Sequence, residues 1–391
     1  MTRPDAETAL ACLRLARTDG IGPVSYRKLI RTHGSVEAAL AMLERGATRL
    51  SRTIGPLCPR DEALRELERL HGLGGTLLAH GQPGYPTLLA TLPDAPPVLS
   101  VLGDVALLST RMVGIVGGRN ASSGGLRMAE SLAALLAAHG VQTVSGLARG
   151  IDGAAHRGAM TAGRTVAAIA GGLDCPYPPE HAPLQAEIAR TGAVVTEAAL
   201  GTVPQARHFP RRNRLIAGLG LGCVVIEAAL RSGSLITARM ALDYGRTIFA
   251  VPGSPLDPRC RGSNDLLRQG AVVTETERDI LRELPETIEE NDLFSAPIRP
   301  ARHNAAPSGG QAVAPQHTDP APPPPVQGDL HEMVEGFLSF TPSPVDDLVR
   351  RCQFSTAAVL TVLSEMEIAG TIEIPCGGSG RAASTPGLSA G

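Results

Sequence analysis

The sequence predicts an α/β protein whose main domain is a doubly wound, Rossmann-like sheet of parallel strands. Between residues 84 and 270, short aliphatic runs are each followed by a glycine-rich turn and a helical stretch, and the runs do not alternate polar with apolar residues. Continuous apolar strands are typical of parallel sheets that helices cover on both faces. The runs are RMVGIV (111–116), VQTVS (141–145), TVAAIA (165–170), AVVTE (193–197), GCVVIEA (222–228) and TIFAVPG (247–253).

A helical region precedes this sheet. Residues 1–75 carry alanine and leucine at helical spacing between glycine-containing turns, which predicts a small domain of the SAM or helix-hairpin-helix type. Within it the segment DGIGP (19–23), followed by Tyr26 and Leu29, has the form of a helix-hairpin-helix turn. The amides of such a turn can contact a DNA phosphate, although a plain helix connector has the same form. Both interpretations stay open from the sequence.

The C-terminal region, residues 328–376, carries three helical patterns and one strand, which predicts a winged-helix-like domain. Ser355 can cap its third helix and Gly370 can end it. That helix contains Glu365 and Glu367 but no lysine or arginine, so it is not suited to a DNA major groove. We therefore expect this domain to contact a protein.

The predicted boundaries place the helical domain at 1–75, the sheet domain at 76–284 and the winged-helix-like domain at 328–376. Residues 285–327 are rich in Pro, Ala, Gly and Gln, a composition that predicts a solvated, partly extended linker. Residues 377–391 are expected to form a flexible tail.

Composition restricts the classes of function. The 391 residues carry a formal net charge of −2, so any nucleic-acid site must be a local basic patch. Tryptophan is absent and aromatic residues make up 3 %, which excludes a long base-stacking platform. The seven cysteines are scattered singly, and no apolar run reaches the length of a membrane span. We expect a cytoplasmic protein without a membrane segment, a disulfide framework or a metal site.

Nucleotide cofactors are not indicated. A dinucleotide site requires GxGxxG after the first strand and an acid at the end of the second. Here the first turn is GGR (117–119), and the second strand ends in SG (145–146) without a carboxylate. A Walker sequence is missing as well, and the only lysine is Lys28 in the N-terminal helices. We therefore expect no bound cofactor.

The most informative segment is RHFPRRNR (207–214), which contains four arginines and no acid. Arginines in the first turn of a helix oppose its dipole at a cost of about 0.3 to 1 kcal/mol, so we expect a bound anion there. Arg119, in the first glycine turn, can contact a phosphate in the same crevice. Phe209 can stack on a base, which is worth about 1 to 3 kcal/mol. The alternatives are that Phe209 fills the core and that the arginines pair with acids across the sheet edge, namely Glu197, Glu227 or Asp174.

A catalytic centre is not indicated. His156 and His208 are candidate bases, and the candidate carboxylates are Asp152, Asp174 and Glu197. On a helix, Asp152 and His156 share a face, and we expect them to hydrogen-bond each other. The loops contain no GxSxG nucleophile sequence, and no set of His, Cys and carboxylates has metal-ligand spacing. We therefore expect a binding protein rather than an enzyme.

Several of these segments together resemble one family. The segments VGIVGGRNASSGG, VSGLARGIDGAAHRGAM, AGGLDCPYPPEH, HFPRRNRLIAGL, EAALRSGSLITARMALDYGR and AVPG, in this order, are similar to those of the DNA-processing protein A family, also called DprA or Smf. The similarity covers roughly residues 84–275. It implies a homodimeric protein that binds and protects incoming single-stranded DNA during natural transformation and loads the RecA recombinase on it.

The resemblance also implies site residues. The family's GSR-type turn falls on residues 117–119, its SGxAxGID segment on 145–152 and its FPxRNR segment on 209–214. Many members carry a basic residue shortly before the Phe, and Arg207 stands near that place. Together with the residues themselves, this predicts a DNA phosphate and base site formed by Gly117, Gly118, Arg119, Ser145, Gly146, Arg207, Phe209, Arg211, Arg212, Asn213 and Arg214.

Parts of the sequence resemble proteins with two other functions. The glycine loops also resemble those of nucleoside-monophosphate phosphoribohydrolases, but that family's PGGxGT turn and paired glutamate are missing here, where the corresponding loop is PGSP (252–255). A winged-helix transcription regulator with a small-molecule sensor is disfavoured by the acidic third helix of the C-terminal domain. Single-stranded DNA binding without catalysis remains the predicted function.

Overall fold

A computed structural model describes most of the chain. The described residues are 3–45, 54–286, 330–338, 343–352, 354–369, 371–373 and 381–384. Apart from its first two residues, the predicted linker lies outside them, as does Gly370, the predicted end of the last helix.

The N-terminal helices form the predicted small domain. Tyr26 and Leu29 are fully buried in its core, as their spacing after the hairpin turn requires. The chain reverses at Gly20, whose φ of 82° favours glycine. Ser35 caps the third helix by accepting a hydrogen bond from the Ala38 amide. The helices are α1 (Arg3–Arg17), α2 (Pro23–His33), α3 (Val36–Glu44) and α4 (Arg60–Gly72).

The sheet of the main domain has nine strands in the described residues. All six predicted runs are strands of it, and they pair in parallel. The strands are β1 (Thr76–Ala79), β2 (Val98–Gly103), β3 (Met112–Gly117), β4 (Gln142–Ser145), β5 (Thr165–Ala168), β6 (Ala193–Thr196), β7 (Gly222–Ile226), β8 (Thr247–Ala250) and β9 (Val272–Val273). Their order across the sheet is β1-β2-β6-β5-β4-β3-β7-β8-β9.

One edge of the sheet differs from the prediction. Strand β2 pairs with β6 in antiparallel orientation, and β1 pairs with β2 in the same way, so the sheet is mixed. Buried Ala79 and Val98 on these strands join the core of the helical domain. The added strands therefore attach the N-terminal helices to the sheet.

Helices cover both faces of the sheet, as the apolar strands predict. Val113 and Ile115 of β3 belong to one core, whereas Met112 and Val116 belong to the other. Helices α6 and α7 pack on the first face, and α9 and α10 pack on the second. The helices of this domain are α5 (Thr87–Ala90), α6 (Ser123–Ala138), α7 (Ile151–Ala162), α8 (Ala182–Thr191), α9 (His208–Leu219), α10 (Gly233–Asp243), α11 (Arg261–Arg268) and α12 (Glu277–Glu283).

The strand order determines where a ligand can bind. Strand β3 lies between β4 and β7, so the chain winds in opposite directions on its two sides. In doubly wound sheets the ligand crevice lies at such a switch point, outside the carboxyl ends of the strands. The loops that follow β3, β4, β5, β6 and β7 meet at this edge.

The C-terminal module has the predicted three helices, α13 (Leu330–Phe337), α14 (Val345–Cys352) and α15 (Thr356–Ile368). Ser355 caps α15 by accepting a hydrogen bond from the Ala358 amide, as predicted. Three short strands, β10 (Ser343–Pro344), β11 (Ile372–Glu373) and β12 (Arg381–Ser384), complete it. Strand β12 corrects the predicted boundary, because it lies in the expected tail and pairs with both other strands.

The C-terminal module contacts the sheet domain through charged groups. Arg127 of α6 forms an ion pair of 2.6 Å with Asp347 of α14. Arg259 donates hydrogen bonds to the carbonyl oxygens of Gly336 and Leu338. Across the described ranges, no helix combines the length and apolar character that a membrane span needs.

Packing of α6 against the sheet gives a stability prediction. Leu136 is fully buried, whereas its neighbour Leu135 is 42 % exposed. We expect Leu136→Ala to lower the free energy of unfolding by about 2 to 5 kcal/mol through lost burial and a cavity. Leu135→Ala, the matched control, should change it by less than about 0.5 kcal/mol. Urea unfolding followed by circular dichroism measures both, and equal losses would contradict the described packing.

Candidate functional site

Two arginines and two aromatic rings meet at the carboxyl edge of the sheet. The Arg119 guanidinium carbon lies 5.3 Å from the centroid of the Phe209 ring, and that of Arg212 lies 5.9 Å from it. The Tyr177 ring meets Phe209 edge to face, with centroids 5.5 Å apart. We call these four residues the Phe209 cluster. Two cations over one ring place positive charge beside an aromatic surface, an arrangement suited to a base and its phosphate.

Arg119 supplies the free charge of this cluster. It is exposed in the loop after β3, and within the described ranges it forms no ion pair. Tyr177 is 44 % exposed, so an aromatic face is also open to solvent. Arg207, likewise exposed and without an ion pair in the described part of the chain, donates a hydrogen bond to the ring of His208.

Arg212, by contrast, is buried beneath the ring. Its Nη1 donates a 2.9 Å hydrogen bond to the carbonyl oxygen of Ala168. A Cβ atom at Gly146 would lie 1.6 Å from this Nη1, so only glycine fits there. Burial lowers the pKa of Arg212 to about 10, while the charge of Asp152 opposes that shift. Asp152 is buried too, and burial raises the pKa of its carboxyl.

Arg211 and Arg214 share one carboxylate. The Nε of Arg211 lies 3.0 Å from Oε1 of Glu197, and Nη2 of Arg214 contacts Oε2 of the same residue. Arg214 is also buried, and its Nη1 donates a 2.6 Å hydrogen bond to the carbonyl oxygen of Asp94. The prediction of a free, phosphate-binding guanidinium at Arg214 is therefore corrected. For these two arginines, pairing with Glu197, the alternative considered from the sequence, is what the structure contains.

The remaining predicted polar groups are engaged inside the protein. Ser145 is buried, and its hydroxyl donates a 2.6 Å hydrogen bond to the carbonyl oxygen of Ile115. The Gly146 amide donates to Asp152, and the side-chain amide of Asn213 donates to the carbonyl oxygen of Gly233. These groups hold the loops in place and do not present donors to a ligand, which differs from the sequence expectation.

The glycines of the first turn are needed for close packing. A Cβ at Gly117 would lie 2.0 Å from the carbonyl oxygen of Ile226. A Cβ at Gly118 would lie 2.8 Å from that of Glu227. Both positions let the loop that carries Arg119 approach β7.

The N-terminus of α6 is occupied by a carboxylate of the protein itself. The Ser122 amide donates a 2.7 Å hydrogen bond to Oε2 of Glu227, and its hydroxyl contacts Oε1. A Cβ at Gly125 would lie 2.5 Å from Cδ of Glu227. In dinucleotide-binding folds the ligand phosphate takes this place at the first helix. A nucleotide phosphate therefore has no room there.

The sequence predicts neither this role of Glu227 nor the part that Tyr177 takes in the Phe209 cluster.

The candidate catalytic groups are dispersed or buried. His156 is fully buried, and its Nδ1 lies 2.7 Å from the hydroxyl of Thr165 rather than against Asp152, so the expected pair does not form. Burial lowers the pKa of His156 to about 3. Asp174 pairs with Arg69. No three or more His, Cys, Asp or Glu side chains in the described segments are grouped so as to hold a metal ion.

Comparisons with known proteins identify the family and its domains. The family described as DNA recombination-mediator protein A matches residues 76–285. A DprA-like N-terminal HHH domain matches residues 6–68, and a DprA winged helix domain matches residues 318–378. The two predicted flanking domains are thereby confirmed.

Curated relatives and a solved structure are also similar. The protein Smf of Escherichia coli is 38 % identical over 297 residues, which cover 75 % of this chain and 74 % of the relative. The DNA processing protein DprA of Bacillus subtilis is 44 % identical over 204 residues, covering 52 % and 69 %. The X-ray structure of DNA processing protein A from Streptococcus pneumoniae superposes with a TM-score of 0.60 at 30 % identity, covering 73 % of this chain and 99 % of that one.

Burial of His156 predicts a pH dependence of stability. The pKa of His156 is lowered in the folded protein, so unfolding takes up a proton at pH values between about 3 and about 6.5. The contribution of His156 to stability is therefore fully present above about pH 6.5 and is lost as the pH falls towards about 3. As the pH is lowered between these values, the free energy of unfolding of the wild type should fall more steeply than that of His156→Gln, by up to about 1.4 kcal/mol per pH unit. Urea unfolding at several pH values measures this slope, with exposed His139→Gln as the control. Parallel curves for wild type and His156→Gln would contradict the assignment.

Proposed function

The chain belongs to the DNA recombination-mediator protein A family, and from this membership and the geometry of the Phe209 cluster we propose that it binds single-stranded DNA at the carboxyl edge of its sheet. The observation that carries the proposal is an exposed guanidinium, Arg119, held against an aromatic ring and without an ion pair among the residues that the structure describes. A guanidinium fork fits a phosphate, and the face of an aromatic ring fits any base.

Each residue of the site then has a definite role. Arg119 and Arg207 contact phosphates, and the rings of Phe209 and Tyr177 contact bases. Arg212 supports the Phe209 ring from below and adds its buried charge. The other predicted residues fix the loops through the contacts described above, namely Gly117, Gly118, Ser145, Gly146, Asn213 and Arg214. Arg211 pairs with Glu197 through a side chain that is largely exposed.

The geometry favours single strands over duplex. The site consists of loops and the first turns of α9 at a sheet edge, whereas duplex recognition commonly places a helix in the major groove. Helix α15, the helix of the C-terminal module expected to read a groove, carries Glu365 and Glu367 and no basic residue. Stacking and phosphate contacts carry little sequence information, so we expect weak sequence preference.

The biological role follows from the family resemblance. We propose that the protein protects incoming single strands in the cytoplasm and loads RecA on them during natural transformation, and that it does so as a homodimer. We further propose that it acts by binding rather than by catalysis. The position of Glu227 at the start of α6 supports this, because its carboxylate occupies the site where a nucleotide-processing enzyme of this fold would bind a phosphate.

Arg119 provides the first test of the proposal. Arg119→Ala should weaken binding of oligothymidylate about fivefold at roughly 0.1 M salt and reduce the slope of log K against log salt by about 0.7, the contribution of one phosphate on a single strand. Arg164→Ala removes the same charge from a half-exposed arginine paired with Asp104 and should leave affinity and slope unchanged. Fluorescence anisotropy measures both, and wild-type binding by Arg119→Ala would refute the site.

Phe209 tests stacking separately from charge. Phe209→Leu keeps an apolar side chain but loses the ring, so affinity should fall by about 1 to 3 kcal/mol. The salt slope should stay at the wild-type value, because no phosphate contact is lost. Affinity measured at several salt concentrations distinguishes this variant from Arg119→Ala. A changed slope with little loss of affinity would contradict the proposed division of roles.

A further inference from the structure

A cleft of about 590 Å³ separates the N-terminal helical domain from the carboxyl edge of the sheet. One wall is the hairpin turn, residues 19–23, and the other includes His208, Arg211 and Arg212 from the start of α9. We call this space the hairpin cleft. Arg212 belongs both to its lining and to the Phe209 cluster, so the two places adjoin.

Two helices have their N-termini at the hairpin cleft. Helices α2 and α9 have no acidic residue in the first turn, and neither has a side chain that caps its N-terminus. The first backbone amides of a helix lack partners inside it, and its N-terminus carries partial positive charge. At α6 and α7, by contrast, Glu227 and Asp152 stand at this position. The first amides of α9 donate to the carbonyl oxygens of Gln205 and Ala206, so it is the start of α2 that can offer amide donors to an anion in the cleft.

A buried donor in the lining also lacks a partner. Arg212 is only 5 % exposed, and its Nε has no hydrogen-bond partner in the part of the chain that the structure describes. Leaving a buried donor unpaired is unfavourable, so such groups usually meet a ligand or water. Arg211 lines the same cleft with a side chain that is 58 % exposed. Both arginines can therefore reach an acceptor oxygen in this space.

The acids of the lining do not cancel this charge. Glu197 is shared by Arg211 and Arg214, which together outweigh it. Asp19, exposed at the hairpin turn, has no ion pair within the described ranges. Its carboxylate should therefore repel an anion in the cleft, and its removal is a useful second test.

We propose that the hairpin cleft binds a further phosphate of the same DNA strand that occupies the Phe209 cluster. The first amides of α2, together with Arg211 and Arg212, are the donors. This inference rests on the proposed function, and it gives the N-terminal helical domain a direct part in DNA binding. It also decides between the two interpretations of the DGIGP segment in favour of a phosphate-binding turn.

Gly22 provides the sharpest test. It has a φ of −85°, and a Cβ added there would meet no atom within 4 Å, so a side chain can be introduced into the cleft without strain. Val24 lies two residues further on, in the first turn of α2, is 65 % exposed and does not line the cleft. Val24→Glu is therefore the matched control for Gly22→Glu, with the same added charge. Gly22→Lys and Asp19→Asn test the opposite direction.

The experiment is fluorescence anisotropy on the full chain with oligothymidylates of about 4 and about 16 nucleotides, the range of site sizes for such proteins. Gly22→Glu should weaken binding of the longer strand about fivefold at roughly 0.1 M salt and lower its salt slope by about 0.7. Binding of the shorter strand should change much less. Gly22→Lys and Asp19→Asn should both strengthen binding of the longer strand.

Each outcome has a definite meaning. Equal effects of Gly22→Glu and Val24→Glu, or equal effects on both strand lengths, would overturn the cleft assignment, because they would show only a general charge effect. The proposed function would still stand if Arg119→Ala weakened both strands. If Arg119→Ala bound both strands as the wild type does, the proposed function itself would fail. Thermal unfolding by circular dichroism establishes that each variant is folded.

Discussion

The contact between the Arg212 guanidinium and the backbone of Gly146 is the constraint on which the site depends. Burying a cation is unfavourable unless acceptors surround it, and here the Ala168 carbonyl and the nearby Asp152 carboxylate supply them. The guanidinium fixes the loop after β4 against the start of α9 and supports the Phe209 ring from below. Arg119 can then rest on the same ring while its charge stays in solvent.

The fold uses its own carboxylates where related architectures hold a ligand. Glu227 closes the start of α6 and Asp152 stands in the first turn of α7, so the sheet's first two helix starts are already satisfied. Positive charge remains at α9 and at α2 of the helical domain. In the proposed function, the anion therefore binds beside the switch point rather than at its centre, where an extended polymer can lie across several loops.

Local patterns in the sequence predicted the parts of the structure that neighbouring residues determine. The six parallel strands and the cap at Ser355 fall in this group, whereas Arg119 and Phe209 meet at one sheet edge because of the sheet's topology. The antiparallel strands β1 and β2 and the very short β9 were missed, because their pairing is decided by distant partners. The acid that pairs with Arg214 depends on where the fold places Glu197, and the sequence alone does not distinguish Glu197 from Glu227 and Asp174.

The missing side chain at Gly146 has an evolutionary consequence. Any substitution there would expel the guanidinium beneath it, and any shorter residue in place of Arg212 would leave a void that a larger residue at 146 could fill. The two positions are thus coupled, and their identities should co-vary among homologous chains. A lineage that loses one of the pair can be expected to have remodelled the other.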